Sequence, residues 1–218
     1  MQPEFWQERW RIAQTGFHQS SIDRNLQSFW PTLNIAANAG VFVPLCGKSL
    51  DLEWLRYRGH AVRGVEISEI AVEAFFMERG ILARRRVLGE FDLYEAGSLR
   101  LFRGDFFALN PALLGSVAAV YDRAALISWI PEMRARYVQH IVALTTRGAQ
   151  TLLIVVEFQQ AQMAGPPFPV TEDDIGRLYG ADHAIEQLAR QDILDIEPRL
   201  RARGLTELRE VCYRLTRK

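Results

Sequence analysis

Apolar and polar positions along this chain follow two periods in turn, and their order predicts a mostly parallel sheet with helices on both faces. Unbroken apolar runs at Gly40 to Leu45, Ala61 to Ile67, Leu99 to Phe102, Val117 to Tyr121 and Thr151 to Phe158 read as five strands buried on both sides. Between them, Leu50 to Tyr57 and Ile70 to Arg79 carry apolar residues at helical spacing. Pro131 stands where a first helical turn tolerates it, ahead of Met133, Tyr137, Ile141 and Leu144. Phe91 to Phe102 departs from this order: two alternating runs flank a Gly-containing turn and predict a hairpin leading into the third strand. Helical patterns return at Asp173 to Tyr179 and at Ile193 to Arg203, the latter broken at Pro198. Glu207 to Thr216 then alternates like an antiparallel strand laid beside the parallel set. Gln159 to Val170, with Gly165-Pro-Pro-Phe-Pro169, reads as the one long loop.

Composition narrows the class. With 49% hydrophobic residues in 218, the chain can bury a core as one domain without disulfides or metals. Its 26 basic residues balance 26 acidic ones, so no global field draws nucleic acid or an anionic membrane surface. Cys46 and Cys212 are too few for a disulfide framework and lack the spacing of a zinc site, which favours reduced thiols in a cytoplasm. The start lacks the pattern of a leader, and no apolar run approaches the ~20 residues of a membrane span. A cytoplasmic monomer with a small-molecule partner and no metal is expected.

The candidate chemistry begins at Val41-Phe-Val-Pro-Leu-Cys-Gly47, where the first apolar run breaks at a glycine. The second run ends in Glu66, at the spacing of a carboxylate that grips a nucleoside ribose. A pyrophosphate needs several glycines to approach the backbone, and only Gly47 is present. That disfavours a nicotinamide dinucleotide and favours S-adenosylmethionine, which has an adenosine and no phosphate. Taken alone, Glu66 also fits a strand-end carboxylate capping the next helix before Ser68. Asp105 and Phe106 follow the third strand, where they serve either an adenine edge and face or a turn with a buried ring. Arg123 ends the fourth strand, either facing a ligand or paired with Asp122 or Glu66. Trp6 and Trp10, four apart, read as packing anchors of an amphipathic N-terminal helix. His18 has the ordinary acidity of a general base, but a sulfur nucleophile needs little such help, and His60 and His183 fit plain turn or helix settings. Cys46 reads as a small residue where bulk would clash.

Seven segments together carry a resemblance. Phe5-Trp-Gln-Glu-Arg-Trp10, Thr15-Gly-Phe-His-Gln19, Val43-Pro-Leu-Cys-Gly-Lys48, Arg58-Gly-His60, Gly64-Val-Glu-Ile-Ser68, Asp122-Arg-Ala-Ala-Leu126 and Gly165-Pro-Pro-Phe168 resemble the thiopurine S-methyltransferase family in its bacterial branch, nearly end to end. The resemblance implies a class I S-adenosylmethionine-dependent methyltransferase: an α/β, Rossmann-like fold with a seven-stranded, mostly parallel sheet and an antiparallel C-terminal strand. It implies cofactor contacts at Trp10, Leu45, Glu66 and Arg123, joining Gly47 of the turn, with an adenine edge near Asp105 and Phe106 and substrate contacts at Phe17 and Arg199. Residues 1–38 would form an N-terminal lid, 39–158 the cofactor-binding core, and 159–218 the substrate loop and remaining sheet. The expected reaction is S-methylation of aromatic or heterocyclic thiols, with selenium and tellurium compounds as further soft acceptors. Asp122 or a water would remove the proton, and Arg123 with Arg199 would steady an anionic sulfur or a substrate carboxylate. Two alternatives remain: a halide or thiocyanate methyltransferase of the same fold, and a noncatalytic S-adenosylmethionine-binding regulator.

Overall fold

The computed structural model describes residues 3–218, and among these nine strands form a single sheet. The parallel centre consists of β1 (Gly40–Val43), β2 (Ala61–Glu66), β5 (Leu99–Arg103), β6 (Ala119–Arg123) and β7 (Gln150–Glu157). Their spatial order is β5-β2-β1-β6-β7, all pairs parallel. Two antiparallel strands flank each side: β4 (Phe91–Ala96) then β3 (Arg84–Leu88) beyond β5, and β9 (Arg209–Arg217) then β8 (His183–Asp192) beyond β7.

The five parallel strands and the Phe91 to Phe102 hairpin match the sequence pattern; the strand count does not. Two edge strands were absent from the expected seven. β3 is Arg-Arg-Arg-Val-Leu with no apolar alternation, and β8 is polar and mostly exposed on both sides. His183 therefore begins a strand instead of lying in a turn or helix, as expected from sequence.

Helices cover both faces because each carries one apolar stripe. Leu26 of α2 (Arg24–Phe29), Leu52 and Leu55 of α3 (Asp51–Tyr57) and Phe75 of α4 (Glu69–Glu78) pack with Val41, Val62 and Leu101 on one face. On the other, Leu114 of α5 (Pro111–Leu114), Tyr137 and Ile141 of α6 (Pro131–Leu144) and Ile175 of α7 (Glu172–Tyr179) pack with Phe42, Val120 and Leu153. Side chains fix several helix starts: Asp23 accepts from the amides of Asn25 and Leu26, Ser68 from Ala71, and Thr171 with Asp174 forms a reciprocal cap. The helix α1 (Pro3–Arg11) lies outside these layers and contacts α4. The expected break at Pro198 separates a 3-10 turn at Leu194–Ile196 from α8 (Pro198–Ala202).

The chain leaves β1 toward β2 and β5, then crosses back to place β6 on the other side of β1. In an open sheet of this kind, ligands bind outside the carboxyl ends of the strands at that reversal. Leu45 to Gly47 follow β1 there, and Arg123 ends β6.

Candidate active site

Two adjoining cavities open at the reversal point. The first spans about 820 Å³, its open mouth included, and is lined by Trp10, Leu45, Cys46, Gly47, Glu66, Ile67 and Asp51, among others. The second, of about 1680 Å³, takes in Gly16, Val156, Pro166, Pro167, Arg199 and Glu210. Trp6, Phe17, Gln19, Arg123, Ala124 and Ser128 line both, so Arg123 stands at the passage between them.

The turn after β1 is shaped by backbone geometry. Leu45 has φ 46° and Gly47 φ 52°, the left-handed region that costs a non-glycine residue about 1–2 kcal/mol. The Gly47 amide donates to Glu66 Oε2 at 2.9 Å, and the Ser68 amide to Glu66 Oε1 at 2.8 Å. Glu66 thus ties the β1 and β2 turns together. Burial raises its proton affinity, opposed by these backbone donors. It is not paired with Arg123. A Cβ built on Gly47 would lie 3.1 Å from the Trp10 ring, so the indole lies directly over the glycine. Trp10 is 6% exposed, and Phe17 meets both Trp6 and Trp10 edge to face at 5.5 Å. Cys46 is buried, its thiol's proton affinity raised chiefly by that burial, and a Cβ on Gly64 would come within 2.6 Å of its sulfur. Small residues are needed on both sides of that contact.

Arg123 is held from a direction the sequence left unseen. Its Nε lies 3.2 Å from Asp23 Oδ2. The Asp23 amide donates to Asp51 Oδ1 at 2.9 Å, and the Tyr121 hydroxyl to Asp51 Oδ2 at 3.0 Å. The result is a buried relay from Tyr121 through Asp51 and Asp23 to the guanidinium. Strand alternation puts Tyr121 and Arg123 on one face of β6 and Asp122 on the other. Asp122 lines neither cavity; it accepts from the Tyr137 hydroxyl at 2.7 Å and the Leu126 amide at 3.2 Å. The expectation that Asp122 removes a substrate proton is corrected on that ground. Burial lifts its pKa to about 6, against those two donors.

The adenine assignment is also revised. The Phe106 ring is buried against Tyr137 at 5.1 Å, so it is unavailable to stack on a ligand. Asp105 is exposed and caps a short turn by accepting from the Phe107 amide at 2.9 Å. Neither residue lines either of these two cavities. Arg199 does line the second, crossing over the N-terminal segment: a Cβ on Gly16 would stand 2.6 Å from its guanidinium. His18 lines the first cavity, its basicity lowered by burial and then by Lys48. Sequence reasoning missed Asp23, Asp51 and Glu210. Asp23 had a readable signal as the acidic residue ahead of a short helix, and Asp51 as the acidic start of α3. Glu210 had none, because nothing local says what its strand faces.

With this geometry defined, comparison with known proteins decides the family. The family model described as Thiopurine S-methyltransferase matches residues 1–218. The chain belongs to the thiopurine S-methyltransferase family. It is 48% identical over 214 residues to the Thiopurine S-methyltransferase of Methylococcus capsulatus, covering 98% of this chain and 96% of that one. It is 42% identical to that of Bordetella petrii, with both chains wholly covered. Among solved structures, the fold is similar to a 1,6-didemethyltoxoflavin-N1-methyltransferase from Burkholderia thailandensis with bound S-adenosylhomocysteine: TM-score 0.64, 16% identity, 99% of this chain and 87% of that one. It is also similar to a TehB-like SAM-dependent methyltransferase from Corynebacterium glutamicum: TM-score 0.58, 13% identity, 99% and 98% covered. Among the described residues, no helix is long and apolar enough to cross a membrane, and no cluster of His, Cys, Asp and Glu could hold a metal ion.

Proposed function

We infer that this chain is an S-adenosylmethionine-dependent methyltransferase acting on the sulfur of thiopurines and related aromatic thiols. The observation that carries this reading is the pair of adjoining cavities with Arg123 at their passage. Bound S-adenosylmethionine supplies a methyl group already activated on a sulfonium. The first cavity fits it. Glu66 has used two of its roughly four lone-pair directions on backbone amides, leaving others for ribose hydroxyls. The turn at Leu45 and Gly47 brings backbone close to the ligand, and Trp10 closes over it. Residues 1–38 would act as the cover that keeps water out of a single methyltransferase domain.

The second cavity suits a flat aromatic acceptor. Phe17, Ile127, Val156 and Pro166 offer apolar walls, and Arg123 and Arg199 offer charge for an anionic sulfur. Its apolar walls of Phe17, Ile127, Val156 and Pro166 weigh against a halide or thiocyanate reading, which needs only a small dry anion site. Aligning sulfur with the methyl can supply about 7–11 kcal/mol of the barrier reduction, so few side chains need act chemically. We assign Asp122 to holding the turn that presents Arg123 and Ala124. We extend the acceptors to selenium and tellurium compounds on the same softness argument. We place the enzyme in the cytoplasm as a monomer; the two free, buried cysteines support a reducing compartment. The test is incubation of purified protein with labelled S-adenosylmethionine and 6-mercaptopurine, selenite or tellurite in parallel, read by mass spectrometry. S-adenosylhomocysteine binding without methyl transfer to any acceptor would favour a noncatalytic regulator.

A further inference from the structure

The acceptor sulfur has to lose its proton, and Asp122 lies on the wrong face of the sheet to take it. Two other carboxylates line the second cavity, Glu197 and Glu210. Glu197 leads into α8 at the rim. Glu210 sits on β9, inside the sheet between Val156 of β7 and Gln191 of β8, with its side chain 14% exposed. Its Oε2 receives the Asn25 side-chain amide and stands 3.8 Å from Arg24. Among the described residues no hydrogen bond reaches Oε1. Val156, Glu210 and Arg123 line the same cavity, so a carboxylate with one uncommitted oxygen faces the space whose far end opens past Arg123 to the methyl donor's side.

We propose that Glu210 is the general base of thiol methylation, accepting the sulfur's proton on Oε1. The proposal rests on the thiol methyltransferase reading given above. The S–H bond of a thiol, or the ring N–H bond of a thiopurine in its thione tautomer, breaks with its electron pair left on the resulting thiolate, and the proton goes to Glu210. That pair forms the new bond to the methyl carbon as the carbon–sulfonium bond breaks, its own pair departing on S-adenosylhomocysteine. Negative charge moves from Glu210 to a sulfur facing Arg123, so the site's net charge does not change during proton transfer. Glu210 then returns its proton to water at the open mouth of the cavity. Burial raises the proton affinity of Glu210, as does neighbouring Asp23, while Arg24, Arg123 and Asn25 oppose them. A base shifted toward the acidity of a thiol transfers protons with better efficiency than an ordinary exposed carboxylate.

The experiment compares two acceptors. At slightly acidic pH, 6-mercaptopurine arrives protonated, whereas 4-nitrothiophenol arrives as its thiolate. In Glu210→Gln, kcat/KM is expected to fall roughly 100-fold more for 6-mercaptopurine than for 4-nitrothiophenol. Glu210→Asp, which keeps the carboxylate but withdraws it by one methylene, should give an intermediate ratio. Equal losses on both acceptors, or none on either, overturn the assignment. If Glu210→Gln no longer binds S-adenosylhomocysteine and so has not folded, Glu210→Asp decides, and a wild-type ratio there overturns it. Wild-type protein that methylates neither thiol would sink the underlying reading; wild-type activity on both with unaltered variant ratios would sink Glu210 alone.

Discussion

At the scale of single residues, neighbours in sequence can end on opposite sides of a sheet, and Asp122 and Arg123 are the clearest case. The folded-state pKa of Asp122 near 6 lies above the roughly 4 of an unfolded Asp. Its contribution to stability is therefore fully present below about pH 4 and is lost as pH rises through about 6. Asp122→Asn keeps one oxygen for the Leu126 amide and turns its NH2 to the Tyr137 hydroxyl, whose oxygen can accept in place of donating. Denaturant titrations across that window should show a flatter pH dependence for Asp122→Asn than for wild type, and methyl transfer should persist, because this carboxylate lines neither cavity. Gly47 makes a second test. Alanine there meets both the positive φ and the Trp10 ring, a strain of about 1–2 kcal/mol that cofactor binding would feel. Calorimetry with S-adenosylhomocysteine should report a Kd roughly tenfold weaker for Gly47→Ala. The positions of Gly47 and Glu66 were legible because chain spacing fixes which strand ends they occupy. The ring of Phe106 was not, since a Gly-Asp-Phe turn is compatible with a ring pointing at ligand or core, and only packing against Tyr137 decides.

At the scale of elements, what could be read from the chain tracked burial. Strands covered on both faces need unbroken apolar runs, so β1, β2, β5, β6 and β7 announced themselves. Edge strands face water and lose that signature, which is why β3 and β8 went unread. In β3 the polarity has a use: Arg85 pairs with Glu69 at 2.8 Å and Arg86 with Glu95 at 2.9 Å, and charged side chains on an edge discourage pairing with another chain. Replacing Arg84 and Arg86 with valine should shift the protein toward larger species in size-exclusion chromatography. The helix α1 is different, since Trp10 belongs to none of the main apolar clusters and packs over the first cavity. Trp10→Ala removes a side chain already buried against Phe17 and Gly47, a surface worth about 1.5–3 kcal/mol that both the unliganded fold and the ligand complex feel. Affinity for S-adenosylhomocysteine should fall about ten- to hundredfold, and the melting temperature of the unliganded protein should fall as well.

At the scale of the whole molecule, the two cavities lie along a single seam where the sheet reverses, between α1 with the segment after it and the loops after β6 and β7. A ligand filling the first cavity bridges these parts and binds the folded state alone. S-adenosylhomocysteine at about 100 times its Kd should add roughly 2.7 kcal/mol and raise the melting temperature by about 5–10 °C in a protein of this size. The interior position of β9 has a different kind of consequence. A ribosome delivers β8 before β9, yet β9 is the only strand that β8 pairs with among the described residues. Until residues 209–217 emerge, β7 keeps an open edge and β8 has nowhere to dock. The nascent chain thus passes through a stage with one sheet half unfinished, the stage at which a holdase or a protease would find it.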